Sequence, residues 1–371
     1  MPVDFQQRAV EGVRGLQPYQ PGKPIDEVAR EHGLDPASII KLASNENPLG
    51  PSPKAMAAAR EALSELARYP DGNAFQLKNA LSARFGINTD QITLGNGSND
   101  VLELAARTFA GPGAEVVFSE YAFAVYPIAT RAVGASGVAV PARDWGHDLD
   151  AMAAAITERT RLIFVANPNN PTGTAVDRDT LVAFLERVPG HIPVVLDEAY
   201  CEYMTDPAYP DGLAMLSDYP NLIVARTFSK AWGLAGLRVG YALSSPEIAD
   251  LMNRVRQPFN VDNVAQAAAT AALEDKDYLA ESRRVNEAGR DQLMAGFERL
   301  GLTAIPSHGN FVTVDTGRDA NAVFEAMLGD GVIVRPLGGY GMPRHLRVSV
   351  GLTDENDRCI AALGRALGAA P

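Results

Sequence analysis

The chain has 371 residues, enough for one large domain and a smaller one around a sizeable core. A formal net charge of −12 argues against nucleic acid or an anionic membrane as main partner, since both need a basic face, yet it permits a local basic pocket for a small anion. Two cysteines are too few for a disulfide framework, the five histidines show no metal-ligand spacing, and no apolar run approaches the roughly 20 residues of a membrane helix. Cysteine and histidine spacing thus predicts no metal site, and residues 1–22 hold no apolar segment flanked by basic residues, so no signal peptide is expected and a cytoplasmic location is.

In chain order, the Pro- and Gly-rich stretch 17–24 predicts an extended arm. Helical patterns follow over 53–66 and 74–85, then a short strand over 92–94, a Gly-rich turn and an apolar helix over 101–108. Short apolar runs at 115–118, 137–140, 162–165, 194–196, 222–225 and 239–243 are too short for helices, and most are β-branched. Helical patterns such as 150–156 and 179–187 separate many of them. That alternation predicts a mostly parallel, buried sheet with helices on both faces. After residue 245 helices dominate to residue 300, followed by strands near 304, at 311–314, 332–334 and 346–350, and a closing helix over 354–367. The domains expected are an arm (1–30), a segment joining the smaller domain (31–50), a large domain (51–260), and a long helix with a small α+β domain (261–371).

Four strand-end elements carry candidate chemistry. Ala225-Arg-Thr-Phe-Ser-Lys230-Ala-Trp-Gly-Leu-Ala-Gly-Leu-Arg238 places a lysine among small and apolar neighbours, which lowers a lysine's proton affinity and favours covalent chemistry with carbonyls. Thr227, Ser229 and Arg238 together are suited to a phosphate. In Val194-Val-Leu-Asp197-Glu-Ala-Tyr200, an aspartate ends a buried strand, where open α/β sheets place their ligands; taken alone it also reads as a helix cap. Ala166-Asn-Pro-Asn-Asn170-Pro-Thr-Gly173 reads by itself as a turn. Gly95-Asn-Gly-Ser-Asn99 precedes an apolar helix whose first N–H groups can hold an anion.

In this combination and order, the four elements resemble the fold-type I aminotransferases that use pyridoxal 5′-phosphate (PLP). The likeness covers nearly the whole chain. It is narrower still for histidinol-phosphate aminotransferases, through Lys41-Leu-Ala-Ser-Asn-Glu-Asn-Pro-Leu-Gly50, Arg68-Tyr-Pro-Asp71, the Asn170 turn and Leu346-Arg-Val-Ser-Val-Gly351. The resemblance implies an α/β fold: a large domain with a mostly parallel seven-stranded sheet and a smaller α+β domain. It implies Lys230 as the lysine that bonds to PLP, Asp197 against the pyridine nitrogen, and Asn170 and Tyr200 at the phenolate oxygen. Ser98 and Asn99 join Thr227, Ser229 and Arg238 at the phosphate. Phe123, with Tyr121 as the alternative, is the ring expected to stack on the cofactor. Tyr69 resembles a residue that reaches the neighbouring subunit's site, implying a homodimer with shared sites. Arg347, Arg335, Tyr19 and Asn45 face the substrates, an amine donor and 2-oxoglutarate. The implied reaction is transamination of histidinol phosphate. An aromatic amino-acid aminotransferase would show the same catalytic residues; a phosphothreonine decarboxylase and a non-catalytic PLP-binding sensor are further alternatives.

Overall fold

The computed structural model describes residues 4–19 and 21–368. Its strands in chain order are β1 (Ile40–Lys41), β2 (Ile92–Gly95), β3 (Glu115–Ser119), β4 (Ser136–Val140), β5 (Thr160–Ala166), β6 (Val194–Asp197), β7 (Leu222–Thr227), β8 (Gly240–Leu243), β9 (Thr303–Ile305), β10 (Phe311–Asp315), β11 (Val332–Ile333), β12 (Arg335–Pro336) and β13 (His345–Ser349). All seven apolar runs between residues 92 and 243 join one sheet, ordered β2-β8-β7-β6-β5-β3-β4. Only β8 runs against its neighbours, β2 and β7.

The sheet's sequence pattern follows from burial on both faces. In β5, Ile163 and Val165 enter one apolar cluster while Leu162 and Phe164 enter another on the opposite face. Helices Phe75–Phe85 and Arg178–Leu185 cover the first face, and Ser98–Phe109, Val125–Ala132 and Pro246–Val255 the second. With neither face wet, the strands read as continuous apolar runs rather than alternating ones.

The smaller domain has the antiparallel sheet β12-β13-β10-β9 and a parallel pair β1-β11 around its own core. The long helix Lys276–Arg299 ties the two cores together: Leu279 belongs to the large one, Leu293 and Phe297 to the small one. Among the described residues, no helix is long and apolar enough to cross a membrane.

Four details differ from the sequence expectations. The stretch 332–334 is not one strand: β11 pairs with β1, and after Val334 β12 pairs with β13. Helix Asn263–Leu273 packs against Pro53–Ala62 and contributes Ala265, Ala268 and Ala269 to the large core, so the boundary at 261 falls too early. The arm is not all extended, for Ile25–His32 is a helix that buries Val28 and Ala29 in the small-domain core and ends at Gly33, whose φ is +67°. Nor does the arm lie on one domain alone: Ile25–His32 packs into the small-domain core, while the turn of helix Glu11–Arg14 lies on Val125–Ala132 of the large one.

Candidate active site

Asp197 ends β6, Asn170 follows β5 and Lys230 follows β7, so the turns at the carboxyl ends of three adjacent parallel strands converge. They open on a cavity of about 370 Å³ between the two domains. Its lining includes Tyr19, Asn45, Ser98, Asn99, Phe123, Asn170, Asp197, Tyr200, Thr227, Ser229, Lys230, Arg238 and Arg347. Thirteen of the sixteen site residues named from the sequence therefore share one space; Arg335, Tyr69 and the alternative stacking ring, Tyr121, lie outside it.

At one end lies an anion cradle. Helix Ser98–Phe109 begins here with unpaired backbone N–H groups and the positive end of its dipole. The Arg238 guanidinium crosses the turn before it. A Cβ on Gly97 (φ +80°) would lie 2.3 Å from Arg238 Nη2, so only glycine lets the cation this close. Arg238 Nη1 donates to Ser229 Oγ at 3.2 Å and to the Ala235 carbonyl at 3.2 Å.

At the cavity's centre, Lys230 Nζ donates to the carbonyls of Ser44 and Asn45 at 3.1 and 3.3 Å. Burial, aided by the nearby Arg347 charge, lowers the Lys230 pKa to about 7. Asp197 responds oppositely, because burial disfavours the carboxylate and pushes its pKa up to about 6. The Tyr126 hydroxyl, donating to Asp197 Oδ2 at 2.8 Å, and the Ala199 N–H, donating to Oδ1 at 3.2 Å, oppose that rise. Burial holds the Tyr200 phenol up at about 12; its oxygen accepts from Asn45 Nδ2 at 2.9 Å.

Toward the small domain, Arg347 is 5% exposed, lies on β13 and reaches across to the large domain. Its Nη1 donates to Asn170 Oδ1 at 2.6 Å and its Nη2 to the Ala43 carbonyl at 2.7 Å, over the ring of Phe311. Its buried Nε has no partner among the described residues. Arg335 of β12 is the direct cross-strand partner of Arg347, so both side chains leave the same face of the sheet. Arg335 stands one layer back, stacked at 5.4 Å on the Tyr19 ring, which does line the cavity.

Phe123 lines the cavity, whereas Tyr121 turns away to pack on Trp145 and on the cluster of Ile305, Leu337 and Met342. Tyr69 is 82% exposed and stacks on Phe259 at 4.9 Å, away from its own chain's cavity. Sequence reasoning does not single out Tyr126, although the Phe123-x-x-Tyr126 spacing is a usable signal. It also misses the Ser44 carbonyl, which as a backbone group leaves no mark in the sequence.

A lysine of lowered proton affinity, a buried carboxylate and an anion cradle at the strand ends suit amino-group transfer, and the chain belongs to the aminotransferase class I and II family, matched over residues 37–363. It is 62% identical over 370 residues to "Histidinol-phosphate aminotransferase 2" of Pseudomonas fluorescens Pf-5, covering 100% of both chains. It is 63% identical over 364 residues to the protein of that name in Pseudomonas aeruginosa PAO1, covering 98% of this chain and 99% of the relative. Among solved structures, histidinol-phosphate aminotransferase from Sinorhizobium meliloti in complex with PLP superposes with a TM-score of 0.89 at 33% identity, covering 97% of this chain and 98% of that one.

Proposed function

We propose that this aminotransferase binds PLP in the cavity and transfers the amino group of L-histidinol phosphate to 2-oxoglutarate, giving imidazole-acetol phosphate and glutamate in histidine biosynthesis. The observation that carries the substrate reading is the pairing of Arg335 with Arg347 on one face of the small sheet, beside the cavity. A donor phosphate of about −1.5 to −2 charge is served by two guanidinium groups. Full-length likeness to proteins named for that reaction supports the same choice.

The residues fit PLP by the chemistry of their donors. Ser98, Asn99, Thr227, Ser229 and Arg238 surround the space for a phosphate, and Gly97 leaves room for the guanidinium. Asp197 would serve the pyridine nitrogen, Asn170 and Tyr200 the phenolate oxygen, and Phe123 would cover the ring. Bound there, PLP supplies an electron sink for bond breaking at the donor's amine-bearing carbon. Lys230 would be the residue that bonds to it. With a pKa near 7, Lys230 Nζ is neutral often enough to take the proton from that carbon and acidic enough to return it. Arg347 holds the anionic group next to the reacting carbon. Its bond to Asn170 Oδ1 also fixes that amide with Nδ2 as the free donor. Tyr19 and Asn45 complete the substrate side, and Arg335 adds the second positive charge.

The reading extends to a cytoplasmic homodimer with shared sites. The exposed stacked pair Tyr69 and Phe259 supports an aromatic contact with a second copy, whose cavity Tyr69 enters. The deciding experiment compares the amine half-reaction with histidinol phosphate and with phenylalanine. A higher specificity constant for histidinol phosphate is expected; a preference for phenylalanine would make the protein an aromatic aminotransferase.

A further inference from the structure

The carboxylate of Asp197 has a conflict that its own strand does not resolve. It is 5% exposed, and burial drives it towards the neutral, protonated form. A neutral carboxyl cannot hold a proton on a pyridine nitrogen. Lys230 also favours the ionised form, but in the proposed reaction its amine does not keep one partner. Two fixed donors remain, the Ala199 N–H on Oδ1 and the Tyr126 hydroxyl on Oδ2.

Tyr126 is built to be the constant one. It lies in helix Val125–Ala132, and its ring is 1% exposed. That ring stacks on Phe164 of β5 at 4.5 Å and 6°, and meets Phe123 edge-on at 6.1 Å and 89°. Packing between these two aromatic rings directs its hydroxyl at Asp197. Burial beside that carboxylate raises the phenol's own pKa well above the usual 10, so the hydroxyl remains a donor at every working pH. Its contact with Phe123 joins the ring expected to cover the cofactor to the carboxylate expected beneath its nitrogen.

We propose that Tyr126 is a positioning residue that keeps Asp197 charged and aimed at the ring nitrogen of the cofactor. The proposal rests on the reading of Asp197 given above. Tyr126 need not touch the cofactor: it acts through Asp197. Burial already raises the Asp197 pKa with both donors in place; removing one raises it further, so the carboxyl competes more strongly for the proton and the ionic partner of the nitrogen is weakened.

The test replaces Tyr126 with phenylalanine, which keeps the ring stack and deletes the hydroxyl alone. Dissociation constants are measured by equilibrium dialysis of the cofactor-free protein against PLP and against a 1-deaza analogue carrying carbon in place of the ring nitrogen. Tyr126→Phe should weaken PLP binding about tenfold or more, the worth of a hydrogen bond to a charged group, and leave the deaza analogue bound as in wild type. Wild-type affinity for PLP, or an equal loss with both cofactors, would overturn the proposal. Asp197→Asn is the control for the underlying reading: it too should lose PLP affinity and not deaza affinity. Wild-type PLP affinity in Asp197→Asn would sink the role of Asp197, and Tyr126's with it. A loss in Asp197→Asn with none in Tyr126→Phe would sink Tyr126's role alone.

Discussion

Arg347 Nη1 donates to Asn170 Oδ1 at 2.6 Å across the boundary between the two domains, joining a residue of β13 to the turn after β5. One guanidinium thereby ties the small domain to the large one and, in the proposed reading, also holds the substrate. Arg347→Ala removes a cation and leaves both the Asn170 amide and the Ala43 carbonyl short of a donor. The specificity constant should fall by about a hundredfold or more with every amine donor, since at least two charge-assisted contacts are lost. Arg347→Lys should restore little of it, because a point charge does not reproduce the planar fork. Single-turnover kinetics with two unrelated donors checks this; a loss confined to one donor would contradict it.

Lys230 has a folded-state pKa of about 7 against a usual 10.5, so its amine loses its proton over a range where an ordinary lysine keeps it. The sign follows from burial and from Arg347, both of which disfavour the ammonium. In the cofactor-free protein, trace acetylation at Lys230, quantified by peptide mass spectrometry, should rise with pH and reach half its plateau near pH 7. Half-reaction near pH 10 would show that the cavity does not depress this lysine. Lys230→Ala should abolish transamination and leave the circular dichroism and thermal unfolding of a folded protein.

Tyr69 lies outside its own chain's cavity, so its proposed role needs a second subunit. Mixing Tyr69→Phe subunits with inactive Lys230→Ala subunits should give hybrids in which one site lacks both residues and the other is intact. Such hybrids should exceed both parent homodimers in activity. If mixing only averages the parents, Tyr69 acts within its own chain or not at all.

Much of this site is legible in the amino-acid sequence because its residues lie at the ends of strands buried on both faces. Val194, Val195 and Leu196 mark β6 without ambiguity, and Asp197 is where the apolar run stops. The features that the sequence hides depend on contacts distant along the chain or on unusual backbone. Tyr126 meets Asp197 across 71 positions, and Asn45 turns its amide to Tyr200 from a left-handed backbone with φ 54°. Helix Ile25–His32 is obscured by the prolines before it, although Pro24, two early acids and Gly33 mark its ends. Helix Asn263–Leu273 reads as helical, but an alanine-rich surface gives no sign of which core it joins, and packing on Pro53–Ala62 decides that.

The proposed substrate choice turns on Arg335, which faces the same way as Arg347 but stands behind Tyr19. In the proposed reading, Arg347 holds the anionic group near the reacting carbon in any donor. A carboxylate is satisfied by that one fork, whereas a phosphate dianion has a third oxygen and more charge to place. Arg335→Ala should therefore cost histidinol phosphate roughly ten- to a hundredfold in specificity constant, the worth of a hydrogen bond to a charged group, and cost phenylalanine much less. The comparison belongs in the amine half-reaction, because 2-oxoglutarate brings a second carboxylate that can use the same arginine in the full cycle. Tyr19→Leu separates the two ways Arg335 can act. If Arg335 reaches the phosphate directly, losing the stacked ring beneath it should loosen the guanidinium and reproduce part of the selective loss. Equal losses for both donors in Arg335→Ala would mean that this arginine does not read the phosphate, and the aromatic amino-acid reading would then fit the site as well.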